Sequence, residues 1–254
     1  MLSDERQHAI IDMLKTKKFV NVPDLARHFY TSEATIRRDL DKLKKTGILK
    51  RTHGGAVLEQ GIDSAIPYVV RKDERTAEKN IIAGLALKLI HTGDVIIIDS
   101  SSTSARMIPL LGQNKPKTVV SNSPKVSIEI AQRYPDIKVY STGGFLRNSS
   151  ISYVGESARN MVASISVNTM FFSCVGVSLE KGLTDSSTSE AELKRTMIQQ
   201  SALKVFLADS SKLNHNAFSH ICMFNDIDYL ITEKPLDDLW HNRLTDEGVR
   251  IIHP

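Results

Sequence analysis

Two groups of residues in this 254-residue chain have types and spacing suited to work on phosphate. In the first, Thr35, Arg37, Arg38 and Lys42 fall close together, and Lys50, Arg51 and His53 follow. Guanidinium and ammonium groups neutralise backbone phosphates, arginine can donate to guanine through two bonds, and hydroxyls reach base edges. In the second group, apolar runs end repeatedly in hydroxyls, small residues and an isolated charge. These ends are Asp99-Ser100-Ser101-Ser102-Thr103, Ser121-Asn122-Ser123, Ser141-Thr142-Gly143-Gly144-Phe145-Leu146-Arg147, Gly176-Val177-Ser178 and Asp209-Ser210-Ser211-Lys212. Hydroxyls, small residues and backbone amides that open a helix form an anion cradle, to which Arg147 or Lys212 adds charge. A phosphorylated small molecule is the guest such a cradle suits. Any one of these turns is an ordinary strand end or cap; their recurrence is what argues for a site.

The elements that position the first group follow from spacing. Ser32 is a good helix N-cap and Glu33 suits the first turn. Ile36, Leu40 and Leu43 then share one inward face, which leaves Thr35, Arg38 and Lys42 on the opposite side with Arg37 nearby. Gly47 is the expected stop. Upstream, Ile10, Ile11, Met13 and Leu14 form a helical stripe that ends in Lys15-Thr16-Lys17-Lys18. Asn21-Val22-Pro23-Asp24 starts a second helix, with Leu25, Ala26 and Phe29 facing a core. Downstream, residues 48–57 read as two short extended runs around a flexible turn. Helix, helix, basic helix and basic hairpin is the order of a winged helix-turn-helix, expected over residues 1–57. Charge agrees with this: residues 1–53 carry 12 Lys and Arg against 7 Asp and Glu, whereas the other 201 carry 21 against 22. A small basic module on a near-neutral larger part suits a polyanion partner for the module alone.

The second group requires a different scaffold. Residues 58–75, with Gly61, Asp63, Ser64 and Pro67, read as a linker, and 76–254 as one α/β domain. A helix is expected from Thr76, buried strands near 95–98, 117–120, 137–140, 169–175, 204–208, 229–232 and 249–252, and helices near 103–111, 124–134, 156–164 and 189–202. Strands alternating with helices predict a parallel, doubly wound, Rossmann-like sheet, whose ligands bind beyond the carboxyl ends of the strands. The composition, 41% apolar and 24% charged, is that of a folded globular protein, and the longest apolar run, 81–87, is far too short to span a bilayer. Asp4, Glu5 and Arg6 stand where a signal peptide would turn apolar, so a cytoplasmic protein is expected. Cys174 and Cys222 lie in apolar surroundings and read as reduced, buried thiols. His91, His215 and His220 lack metal-like spacing; neither metal nor cofactor is expected.

Ser32-Glu33-Ala34-Thr35-Ile36-Arg37-Arg38-Asp39-Leu40, followed by Arg51-Thr52-His53-Gly54-Gly55-Ala56, closely resembles the DNA-binding signature of DeoR-type bacterial transcription regulators. Residues 99–103, 121–123, 143–147, 155–156, 190–198 and 209–212 resemble that family's effector domain, similar in fold to ribose-phosphate isomerases and CoA transferases. The resemblance implies a repressor of sugar-catabolic or sugar-transport genes that binds a double-stranded DNA operator and is modulated by a phosphorylated sugar. A homo-oligomer, dimer or tetramer, would read paired half-sites. DNA contacts would come from Ser32, Thr35, Arg37, Arg38, Lys42, Lys50, Arg51 and His53. Effector contacts would come from Asp99, Ser101, Ser102, Thr103, Asn122, Gly143, Gly144, Arg147, Gly176, Glu190, Lys194 and Lys212. Asp39 is better read as a structural partner for a nearby base than as a groove contact, because an acid facing phosphate is repelled. Glu190 and Lys194, one helical turn apart, either meet sugar hydroxyls or pair with each other. One departure stands out: the family usually has Asp-x-Gly-Thr-Thr at the first turn, and here Ser101 takes the glycine position. Two alternatives are an isomerase- or transferase-like enzyme tethered to nucleic acid, with Asp99, Glu190 and Lys212 as acid/base groups, and an activator in place of a repressor. Spacing alone assembles no nucleophile, base and orienting group.

Overall fold

The computed structural model describes residues 3–17, 19–45, 49–58 and 68–254, divided into two compact units at Glu74 and Arg75. In the first unit, α1 (Ser3–Lys17), α2 (Val22–His28) and α3 (Glu33–Lys45) are joined by a small antiparallel sheet. Its strands, β1 (Phe19–Asn21), β2 (Leu49–Thr52) and β3 (Gly55–Leu58), lie in the order β1-β3-β2. Asn21 begins α2 as anticipated, its side chain accepting from the Asp24 amide at 2.7 Å. Ile10, Leu14, Leu25, Ile36, Leu40 and Leu43 are all buried in one core, so the three predicted helical faces meet. The hairpin β2–β3 is the expected wing, and β1 is an addition that residues 19–21 are too short to announce. Within the stretch read as a linker, α4 (Tyr68–Arg71) sends Val70 into the same core, because three consecutive apolar residues there gain more from burial than from solvent. Gly47 and residues 59–67, which include Gly61, Asp63, Ser64 and Pro67, lie outside the described residues.

The second unit begins with α5 (Thr76–Ala86), β4 (Val95–Ile98), β5 (Thr118–Ser121), α6 (Pro124–Arg133) and β6 (Lys138–Ser141). A hairpin of β7 (Phe145–Arg147) and β8 (Ser152–Val154) follows, then α7 (Glu156–Ala163) and β9 (Val167–Phe172). Next come β10 (Gly176–Ser178), β11 (Gly182–Asp185), α8 (Thr188–Gln199), β12 (Ser201–Leu207) and β13 (Ser219–Cys222). The chain closes with β14 (Tyr229–Ile231), α9 (Asp238–Asp246) and β15 (Arg250–Ile252). Seven strands, ordered β15-β14-β12-β9-β4-β5-β6, pair in parallel throughout. Side chains alternate between two cores: Ile97, Met170, Phe172 and Phe206 lie on one face with Ala158, Leu193 and Trp240. Ile96, Ile98, Phe171, Val205 and Leu207 lie on the other with Ile82 and Ile130. Burial on both faces is why these strands read as unbroken apolar runs. The segment expected as a helix near 103–111 is a 3-10 turn, Ser104–Leu110, carrying Pro109. The small sheet β10-β11-β13 and the hairpin β7–β8 went unseen, since three- and four-residue strands show too little alternation to register. Among the described residues, no helix is long and apolar enough to cross a membrane, and no His, Cys, Asp and Glu cluster could hold a metal ion.

Candidate functional site

The basic surface is built by the N-terminus of α3. The Ser32 backbone carbonyl accepts from the Thr35 and Ile36 amides, and its Oγ lies 3.2 Å from the Thr35 amide and 2.9 Å from Thr35 Oγ1. Ser32 is thus engaged in capping, and Thr35 is held beside it. Arg38 and Lys42 are exposed on the side away from Ile36, Leu40 and Leu43. Arg37 bonds Glu33 one turn earlier at 2.9 Å, both side chains being half in solvent. Such a pair contributes well under about 1 kcal/mol and is readily exchanged for a phosphate. On the wing, Lys50 and His53 are exposed, while Arg51 lies 3.8 Å from Asp41. Asp39 is buried and turned inward, where it meets Arg6 of α1 at 2.6 Å, Ser3 Oγ at 3.0 Å and Gln7 Nε2 at 3.2 Å. The acid in the signature therefore ties α1 to α3, and Arg6 is its base.

The polar turns converge at the carboxyl ends of the parallel strands. Asp99, just beyond β4, is fully buried; one oxygen accepts from the Ser101 amide at 3.0 Å and from Ser104 Oγ, the other from the Ser173 amide at 3.2 Å. Ser101 fills its turn with a hydroxyl that bonds Ser104 Oγ at 2.6 Å. Its backbone is not left-handed; among the described non-glycine residues only Tyr30, Arg75, Ile151 and Asn214 are. Serine is accommodated where the family has glycine because this turn does not require glycine's conformation. Ser102 and Thr103 are buried beside it, and Asn122, beyond β5, donates to Ser100 Oγ at 3.3 Å.

Beyond β6, Gly143 and Gly144 turn the chain with φ +62° and +104°. A Cβ on Gly144 would stand 2.6 Å from the Val154 carbonyl, so only glycine fits. The turn delivers Arg147, which bonds Ser150 Oγ at 3.2 Å and lies 3.6 Å from Glu190. Glu190 also accepts from Ser152 Oγ at 2.6 Å. Lys194 points elsewhere: its ammonium meets Asp185 at 2.6 Å, the Ser173 carbonyl at 2.7 Å and Asp99 at 3.8 Å. The direct Glu190–Lys194 pair allowed by their spacing is thus replaced by longer-range partners. Burial opposes the Lys194 charge, but Asp185, Asp99 and Glu190 outweigh it and hold the group above the ordinary lysine range. Lys212 binds the next carbonyl, that of Cys174, at 2.6 Å, so the two lysines clamp consecutive peptides past β9. Asp209 caps its own turn through the Ser211 amide at 3.1 Å. Burial would raise its carboxyl, but Lys212, the Ser211 bonds and Lys79 hold it below the usual carboxylate range.

Gly176 serves packing: its carbonyl accepts from Thr184 Oγ1 at 2.8 Å, and a Cβ there would stand 2.6 Å from the His215 carbonyl. Sequence reasoning missed Ser173, Asp185 and Lys79. Ser173 lies inside an apolar run, Asp185 on a strand too short to recognise, and Lys79 is a buried lysine in a helix where lysines are usually exposed. Among the described residues, four buried side-chain atoms in these turns, Thr103 Oγ1, Asn122 Oδ1, Ser149 Oγ and Ser186 Oγ, have no hydrogen-bond partner.

Family models described as a DeoR-like helix-turn-helix domain and a DeoR C terminal sensor domain match residues 6–61 and 74–234. An HTH-type transcriptional regulator of Bacillus subtilis, YulB, is 38% identical over 99% of this chain and 96% of its own. The HTH-type transcriptional repressor GlcR of the same organism is 32% identical over 99% and 96%. Among solved structures, a D-ribose-5-phosphate isomerase with phospho-erythronic acid matches 53% of this chain and 52% of its own at 19% identity, with a TM-score of 0.39. Both full-length relatives are named as regulators of transcription, and the tethered-enzyme reading is set aside on that ground.

Proposed function

Since the chain belongs to the DeoR family of transcriptional regulators, we propose that it represses a sugar-metabolism or sugar-transport operon and releases its operator when a phosphorylated sugar binds the polar turns at the strand ends. Two or more copies set α3 into half-sites about 34–36 Å apart, with Thr35, Arg37 and Arg38 towards base edges and phosphates and the wing on the flanking backbone. Ligand acts by binding one conformation more tightly than the other, which lowers the population that fits this spacing. The observation that carries the ligand half of the reading is the set of buried Thr103, Asn122, Ser149 and Ser186 atoms without partners. Buried polar groups are ordinarily bonded, so atoms that lack a protein partner favour a ligand rich in hydroxyl and phosphate oxygens. No cofactor enters this reading.

A thermal-shift panel of sugar phosphates and their unphosphorylated parents tests it, because native-state binding at about 100 times Kd adds roughly 2.7 kcal/mol of stability. One phosphorylated sugar should raise the melting temperature while its parent does not, and should then release operator in a mobility-shift assay. Stabilisation only by unphosphorylated sugars would refute the phosphate assignment. Arg38→Ala should abolish operator binding and leave the sugar-phosphate shift intact.

A further inference from the structure

We propose that Lys79, which belongs to neither group of predicted contacts, is the cation that holds the phosphate of the sensed ligand, acting beside the Ser102–Thr103 turn beyond β4. On α5, Lys79, Ile82, Ala83 and Ala86 are buried together at i, i+3, i+4 and i+7, so Lys79 takes the first position of the helix face turned to the sheet. Ile82, Ala83 and Ala86 pack into the core on that face. An apolar residue in the place of Lys79 would gain from burial, whereas a lysine only 4% exposed gives up much of its hydration. Lysine is almost never buried to this degree unless a negative group faces it.

The place of Lys79 in the fold names that group. Lys79 stands one turn after Arg75, its amide donating to the Arg75 carbonyl at 3.0 Å, and Arg75 lies 3.8 Å from Asp209 beyond β12. Three residues before Lys79, Thr76 Oγ1 accepts from Arg106 at 3.2 Å, which ties the first turn of α5 to the 3-10 turn that Thr103 opens. Lys79 is thus set between the polar ends of β4 and β12. At the β4 end the Ser101 and Ser104 amides bond Asp99 and Ser101 Oγ. The Ser102 and Thr103 amides donate to no acceptor among the described residues, and Thr103 Oγ1, in a residue 1% exposed, has no partner. Two amides and a hydroxyl in consecutive residues suit phosphate oxygens, and a lysine beside them supplies the point charge. Asp209 is served without Lys79: the Ser211 amide and hydroxyl bond its carboxylate, and Lys212 and Arg75 lie close to it. Glu233, the acid beyond the neighbouring β14, accepts from the Ser210 amide at 3.1 Å and from Thr232.

This inference rests on the reading of the strand-end turns as a phosphate site and deepens it, and the experiment separates the two. The full-length protein is titrated calorimetrically, at constant ionic strength, with inorganic phosphate and with a panel of pentose and hexose phosphates. Lys79→Gln should weaken phosphate binding at least about 10-fold, as loss of a hydrogen bond to a charged group does, and Lys79→Arg should recover part of it by restoring the charge. Lys88→Gln, which removes an exposed lysine farther along the same helical segment, should bind as wild type, so that a site is told from general charge. Lys79→Met puts an apolar chain at the core-facing position; without ligand it should melt no lower than wild type, and it should still fail to hold phosphate. A folded Lys79→Gln that binds phosphate as wild type, while Thr103→Val does not, would overturn the Lys79 contact alone. Lys79→Met that melts well below wild type, or does not fold, would do the same by making Lys79 a structural partner of Asp209. No binding of inorganic phosphate or of any sugar phosphate by the wild type would overturn the reading of the turns and this inference with it.

Discussion

Replacing Asp39 by alanine distinguishes an acid that builds the DNA-binding unit from one that touches DNA. Asp39 and Arg6 are both almost fully buried, 2.6 Å apart, and the carboxylate also holds Ser3 and Gln7, so the substitution takes from Arg6 its carboxylate partner in the seam between α1 and α3. Removing one partner of a buried ion pair costs about 3–5 kcal/mol, because the other charge stays buried after losing its counter-charge. A unit of 74 residues has roughly 4–11 kcal/mol of stability in total and an unfolding entropy of about 0.15 kcal/mol per degree, so the loss corresponds to a fall of about 20–30 °C in its midpoint. Hydrogen exchange read by mass spectrometry on the full chain localises the effect: peptides from α1 and α3 should lose most of their protection, and those from the α/β unit should keep theirs. Operator binding should fall as the unfolded fraction rises. Replacing both partners, Arg6→Met with Asp39→Leu, should restore much of the protection, since apolar groups of similar volume leave no stranded charge. An Asp39→Ala protein with wild-type protection that nevertheless fails to bind operator would place the carboxylate at the DNA and refute this account.

Lys194→Met should destabilise the α/β unit by about 3–5 kcal/mol, measured by urea unfolding, because Asp185, Asp99 and Glu190 lose their shared cation. The sign of its pH dependence follows from the raised lysine: the contribution is complete below the ordinary value of 10.5 and is lost only as pH rises through the still higher folded value. The wild-type minus Lys194→Met difference should therefore be flat between pH 6 and 9 on account of this lysine. Gly144→Ala should cost more than about 2 kcal/mol, since it adds a Cβ 2.6 Å from the Val154 carbonyl in a left-handed turn; circular-dichroism melts would show it. Cys174, buried and with its thiol pushed up to about 11 by burial, should resist alkylation at pH 8 until the unit unfolds.

The basic module was legible because its signals are local. A cap, a stripe of three inward residues and two adjacent arginines lie within one helix, and Asn21, Ser32 and Ile36 do in the structure what their types foretell. The parallel strands were legible for a related reason, as continuous apolar runs that only a sheet buried on both faces needs. What stayed hidden depends on contacts distant in sequence. Arg6 and Asp39 are separated by 33 residues, and Ser152 and Glu190 by 38. The spacing of Glu190 and Lys194 allows a direct pair, and the fold gives each a different partner because Asp99 and Asp185 bring two further carboxylates to the lysine.

Those partners determine which groups are left to meet a phosphate. Lys194 is buried among three carboxylates, and its donors already reach Asp185 and the Ser173 carbonyl. Arg147 faces Glu190 and bonds Ser150. A dianionic group entering beside either cation must compete with a carboxylate already in place, so neither is a cost-free anchor. The turn beyond β4 differs: Ser102 and Thr103 are buried there, and Thr103 Oγ1 has no partner. Lys212 binds the Cys174 carbonyl just past β9 and has Asp209 as its nearby carboxylate. On the proposed reading, the phosphate therefore belongs with the hydroxyls and amides of this turn, and the paired carboxylates on α8 and β11 belong with sugar hydroxyls, which they can accept without charge repulsion. Thr103→Val should then weaken a sugar phosphate and its inorganic phosphate fragment alike, whereas Glu190→Gln should weaken only the sugar phosphate. Isothermal titration with both ligands would expose the opposite assignment directly.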